Sequence, residues 1–67
     1  MELSTRNQLP GTIKSVTLGA IMAEVIVDIG GHEVVSVITR RSAEHLALRE
    51  GDPVTVLIKA TEVMLGK

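Results

Sequence analysis

The sequence predicts an all-β domain, a five-stranded OB-like Greek-key barrel with one short helix. Three observations carry that expectation. Apolar residues alternate with period two through most of the chain, glycine-containing turns punctuate the runs, and a single stretch breaks into helical spacing. The order strand, strand, strand, short helix, strand, strand then matches the partly open Greek-key plan. All 67 residues fall into this one domain, residues 1–67, with no linker, repeat or low-complexity segment.

The first strand is expected over Gly11–Leu18, set off from an N-terminal arm by Pro10-Gly11. Gly19-Ala20 suits a glycine-first hairpin turn into the next run. There Ile21, Ala23, Val25, Val27 and Ile29 share one strand face, and Met22, Glu24, Ile26 and Asp28 the other. Gly30-Gly31 supplies the positive φ of a tight hairpin, and the chain returns through Glu33–Thr39. Apolar residues on both faces of these strands suggest a barrel interior on one side and a subunit contact on the other. A helix is expected over about Arg41 to Leu48, capped by Thr39 or Ser42, with Gly51 beyond its end. Pro53 can begin a strand in which Val54, Val56 and Ile58 alternate with Thr55, Leu57 and Lys59. Thr61–Leu65 is expected as the short fifth strand.

Composition narrows the function. A chain of this length buries only about 60% of its unfolded surface, so its own core is marginal. It has no cysteine, which removes disulfides, zinc clusters and thiol chemistry together. His32 and His45 lack a second ligand at metal spacing and read as a turn residue and a surface residue. Yet 45% of the residues are apolar and the mean hydropathy is positive. Self-association is the remaining way to cover that surface.

No apolar run approaches the ~20 residues of a membrane span, and Met-Glu-Leu-Ser does not open a signal peptide. A cytoplasmic, self-associating protein is expected. Seven basic residues against eight acidic ones leave a net charge of −1, and there is no Phe, Tyr or Trp. Nucleic-acid binding therefore has neither the basic excess nor the stacking platforms it depends on. The acidic residues are scattered, with no paired carboxylates and no base beside a nucleophile, so enzymatic function has no support.

Two polar cationic clusters stand out against the aliphatic background: Ser4-Thr5-Arg6-Asn7-Gln8 and Lys59-Ala60-Thr61. A fixed cation flanked by hydroxyls and amides suits a small oxyanion, because those groups donate without adding charge. Brought together by folding or by a neighbouring subunit, the clusters could replace the water shell of a tetrahedral dianion. Each residue also has a plainer role: Arg6 and Lys59 as solvated side chains, Thr39 and Ser42 as helix caps. A helix start with free N–H groups nonetheless favours anions, and capping is compatible with binding. Arg40 and Arg41 are read as solvated charges that raise the local potential. Met22 and Met64 are read as packing.

These residues also carry a family resemblance. Ser4-Thr5-Arg6-Asn7-Gln8-Leu9-Pro10-Gly11 resembles the Ser-Ala-Arg-Asn-Gln-Leu-x-Gly opening of molbindins, the small molybdate-binding proteins. Lys59-Ala60-Thr61-Glu62-Val63-Met64 resembles their C-terminal Lys-Ser/Ala-Thr/Ser-x-Val-Met segment. Val37-Ile38-Thr39 followed by Ser42-Ala43-Glu44-His45-Leu46 resembles their strand-to-helix junction. The resemblance covers the whole chain. It implies an OB-like barrel assembled as a homohexamer, a trimer of dimers, with molybdate or tungstate held between subunits. It implies intracellular storage and homeostasis of that anion and no further cofactor.

By motif, Ser4 and Arg6 would come from one subunit's arm. Thr39, Ser42, Lys59 and the backbone at Ala60 would come from a neighbour, with Thr61 beside them. Ala60 stands where some members have serine, which removes a side-chain donor. Thr5 replaces alanine and adds a hydroxyl whose direction the sequence leaves open. Two other classes compete with this expectation: a small β-barrel ring that binds nucleic acid, and a purely structural oligomerisation domain.

Overall fold

The computed structural model describes residues 2–67; Met1, part of the expected single domain, lies outside the described residues. Four strands form one antiparallel sheet: β1 (Asn7–Leu18), β2 (Met22–Asp28), β3 (Glu33–Thr39) and β4 (Pro53–Ile58). A six-residue helix α1 (Arg40–His45) follows β3, and a 3-10 turn (Ala60–Glu62) follows β4. The sheet order is β3-β2-β1-β4, so β1 to β3 form a meander and β4 returns beside β1. That arrangement is the Greek key.

The long β1 makes this topology possible. Its first half pairs with β4, from Asn7↔Ile58 to Thr12↔Pro53, and its second half with β2, from Thr12↔Asp28 to Leu18↔Ala23. The register shifts between Ile13 and Ser15, and such a bulge bends and twists its strand. At the changeover Gly11 lies so close to β2 that a Cβ there would sit 2.6 Å from Val27 Cγ1. The strand therefore runs through Pro10-Gly11, which the sequence suggested as a boundary. Pro10 is tolerated because that half of β1 has β4 as its sole sheet neighbour.

Ile13, Ala23, Val25 and Val27 are buried, with Ala43 of α1. Val16, Ile29, Ile38, Leu48, Val54 and Val56 pack against them. Of the two β2 faces separated in the sequence, the one carrying Ala23, Val25 and Val27 turns inward, while Ile21 is exposed before the strand begins. The sheet curls so that edge strands β3 and β4 line one open cavity of about 350 Å³, with Ser36 and Ile38 on one side and Val54 and Val56 on the other.

The Gly30-Gly31 turn forms as expected, both residues at positive φ, closed by Ile29 N–H donating to His32 O at 2.7 Å. Gly19 does not adopt positive φ. It is required for another reason: a Cβ there would meet the carbonyl oxygen of Met22 at 2.9 Å.

The fifth strand is not formed. After Ile58 the chain turns through Ala60–Glu62, with Glu62 N–H donating to Lys59 O at 2.9 Å. This turn carries Val63, Met64 and Leu65 away from the sheet, and Met64 and Leu65 are 92% and 94% exposed. Val63 is extended, but an extended segment becomes a strand only with a partner for its N–H and C=O groups. The barrel is accordingly a curled four-stranded sheet. The helix is also shorter than expected, ending at His45, because Leu46 caps it and Ala47 turns left-handed at φ 52°. Leu48 N–H then reaches Ala43 O and Ala47 N–H reaches Glu44 O, which is the Schellman arrangement.

Candidate oxyanion site

The N-terminal arm is ordered by its own polar side chains. Thr5 Oγ1 donates to Ile58 O at 2.8 Å and accepts from Asn7 N–H at 3.3 Å, and Gln8 Nε2 donates to Thr5 O at 2.7 Å. Exposure alternates along this segment: Thr5 and Asn7 are half-buried, while Ser4, Arg6 and Gln8 are exposed. Arg6 is therefore presented outward by a neighbour on each side that faces the sheet.

Since Asn7 pairs with Ile58, the next residues outward on the two strands are Arg6 and Lys59. The fold thus brings together the backbones of the two cations, which are far apart in sequence. No hydrogen bond among the described residues joins their side chains, and both are exposed. Lys59 occupies the position before the 3-10 turn with φ −65° and ψ 131°, and its side chain caps nothing. Ala60 and Thr61 form the turn itself, beside Lys59, and both are exposed.

Thr39 and Ser42 meet at the start of α1. Thr39 is the N-cap: its Oγ1 accepts from Ser42 N–H at 3.1 Å and donates to Ser42 Oγ at 2.8 Å. The Thr39 proton is committed to Ser42, whereas the Ser42 hydroxyl, accepting from Thr39, keeps its own proton to donate. Arg40 closes the region, with its N–H bonded to Ile21 O at 2.7 Å and Nη1 directed at Gly19 O at 3.3 Å. Its guanidinium also lies 3.6 Å from Glu44. Arg41 is exposed in this region, as expected.

The topology separates these groups. Thr39 pairs with Met22, close to where Leu18 ends β1, while Arg6 and Lys59 flank Asn7, where β1 begins. Within one chain the hydroxyl pair and the cation pair thus lie at opposite ends of the longest strand. In sheet order they belong to opposite edges, β3 and β4, which the curl turns toward one cavity lined by Ile38, next to Thr39, and Leu57, two residues before Lys59. Of the seven residues singled out in the sequence, Ser4, Arg6, Lys59, Ala60 and Thr61 gather at one end and Thr39 and Ser42 at the other.

Sequence reasoning passed over Thr5 as an organiser of the site. Its signal was a hydroxyl two residues before a strand, a position from which a side chain readily bonds local backbone. Among the described residues no group of three or more His, Cys, Asp or Glu could hold a metal ion. No helix among them is long and apolar enough to cross a membrane.

Comparison with known proteins matches these features end to end. Residues 3–65 match the TOBE domain family. The chain is 44% identical over 66 residues to molybdenum-pterin-binding protein 3 of Clostridium pasteurianum, covering 97% of both sequences. Its structure superposes with a TM-score of 0.95 on a molybdate-binding protein from Sporomusa ovata, at 43% identity and complete coverage of both chains. It also matches the cytoplasmic molybdate-binding protein ModG, with a TM-score of 0.85 and 38% identity, over 90% of this chain and 43% of that one. The chain is a TOBE domain and belongs to the molbindin, or Mop, family.

Proposed function

We propose that this chain binds molybdate, and its near-isostere tungstate, between the subunits of a cytoplasmic homohexamer arranged as a trimer of dimers. Its role would be storage and homeostasis of the anion, as a binding protein and not an enzyme. The observation that carries the reading is the end-to-end superposition on the Sporomusa ovata molybdate-binding protein.

The chemistry of the site supports the same reading. Arg6 and Lys59 together balance a dianion, and hydroxyl and backbone N–H donors can orient its oxygens. Register places the Thr39–Ser42 pair and the Arg6–Lys59 pair toward opposite ends of β1, and a neighbouring chain could complete a cage around either. The surface agrees with association. Val35 and Val37 on the outer face of β3 are 59% and 61% exposed, and Ile21, Met64 and Leu65 are more so. Apolar exposure of this kind fits an interface.

Selectivity follows from size and protonation. Molybdate and tungstate are nearly the same size, and a fixed cage should hardly separate them. Sulfate is smaller, so its hydrogen bonds would be long and weak in the same cage. Protonated phosphate would also turn a donor toward other donors.

Calorimetric titration with molybdate, and with sulfate in parallel at matched ionic strength, tests the reading. Saturable molybdate binding with little response to sulfate is the expected result. Equal affinity for sulfate, or no molybdate uptake, would overturn it.

A further inference from the structure

We propose that Thr5 is a positioning residue for the anion site, a latch that fixes the arm carrying Ser4 and Arg6 against the strand that leads into Lys59. This rests on the oxyanion reading above and adds a residue to it. The Thr5 hydroxyl donates to Ile58 O at 2.8 Å, a half-buried bond spanning 53 residues of sequence, and accepts from Asn7 N–H at 3.3 Å. Gln8 Nε2 grips the Thr5 carbonyl at 2.7 Å, and Gln8 N–H closes a tight turn onto Arg6 O at 3.0 Å. Ser4 and Arg6 have no side-chain hydrogen bond among the described residues, so their placement is inherited from Thr5.

The geometry gives the latch its purpose. Ile58 immediately precedes Lys59, and Thr5 immediately precedes Arg6. One hydrogen bond therefore fixes the backbone beside both cations at once. An unlatched arm would have to be ordered each time an anion bound, at a cost in conformational entropy that pre-ordering removes.

Two variants of the full chain test it. Thr5→Val keeps the side-chain shape and removes the hydroxyl, whereas Thr5→Ser keeps the hydroxyl and removes the methyl group. The first readout is amide hydrogen exchange in the absence of anion. Thr5→Val should speed exchange at Asn7 and leave the β2 amides unchanged, and Thr5→Ser should exchange as the wild type does. The second is molybdate affinity, expected to fall about fivefold in Thr5→Val, as loss of one net hydrogen bond implies, and by less than about twofold in Thr5→Ser. Unchanged exchange in Thr5→Val would overturn the latch. Faster exchange with unaltered affinity would overturn its positioning role. A wild type that takes up no molybdate would instead overturn the binding reading, and the exchange comparison alone would then decide the latch.

Discussion

Thr39 Oγ1 and Ser42 Oγ lie 2.8 Å apart at the start of α1, and the same Thr39 oxygen also caps Ser42 N–H. The two hydroxyls are therefore separable by mutation. Thr39→Ala removes the cap and should cost about 1 kcal/mol of stability, read by chemical denaturation. Ser42→Ala leaves the cap intact and should barely change stability. In the proposed site it removes the hydroxyl with a free proton, so it should weaken molybdate binding by about 5–10-fold in calorimetry.

Arg6 and Lys59 offer a contrast between stability and binding. Both are exposed, so Arg6→Ala and Lys59→Ala should leave the denaturation midpoint almost unmoved. If they balance the dianion, each should lower molybdate affinity by about 10–100-fold, the range for charge-assisted hydrogen bonds. Unchanged affinity in both variants would remove the cation pair from the site.

Gly11→Ala should be the most damaging small substitution in the chain. The added methyl would press on Val27 Cγ1 at 2.6 Å, the carbonyl oxygen of Asp28 at 2.8 Å and Ile29 Cγ2 at 2.9 Å. One of these is backbone, so relief requires β1 to move from β2. A loss of about 1–3 kcal/mol is expected, measurable by denaturant unfolding.

Ala47→Gly should do the opposite. Ala47 holds φ 52° to complete the Schellman arrangement, a conformation glycine adopts without the Cβ clash. A gain of about 0.5–1 kcal/mol is expected from the same unfolding measurement.

The Lys14–Glu33 ion pair predicts a pH dependence. The hydrogen bond and charge of Glu33 hold the Lys14 ammonium above its ordinary value of 10.5. A raised folded pKa contributes stability that is fully present below the unfolded value and is lost as pH rises through the folded one. Wild type and Glu33→Gln should therefore differ in Tm at neutral pH and converge above the raised pKa. The difference should be small, since both side chains are exposed.

Local signals were legible in the sequence and long-range ones were not. The β2–β3 hairpin was readable because alternation and Gly30-Gly31 are self-contained, and the helix start because a cap acts over three residues, although Thr39 and Ser42 were both open as the cap and Thr39 fills it. The continuation of β1 through Pro10 was hidden, since proline is compatible with a strand wherever one side lacks a partner, and only the tertiary pairing supplies that fact. Val63-Met64-Leu65 has the composition of a strand and is extended at Val63, yet it has no partner in the chain. The polar cationic clusters at the two ends of the chain were likewise visible as candidates. The division of the candidate residues between the two ends of β1 was not, because it depends on the registers Asn7↔Ile58 and Met22↔Thr39.

The pairing of the arm with β4 also sets an order of events. Synthesis proceeds from the N-terminus, so Arg6 leaves the ribosome early and waits while the β1–β2–β3 meander and α1 are made. Its neighbour Lys59 arrives only after the strand that pairs with the arm has been completed. Closing so long a loop is entropically costly until the meander has already drawn its ends together. The cation pair is therefore completed only once β4 has paired with the arm, so in the proposed site a chain still in synthesis would lack one of its two cations.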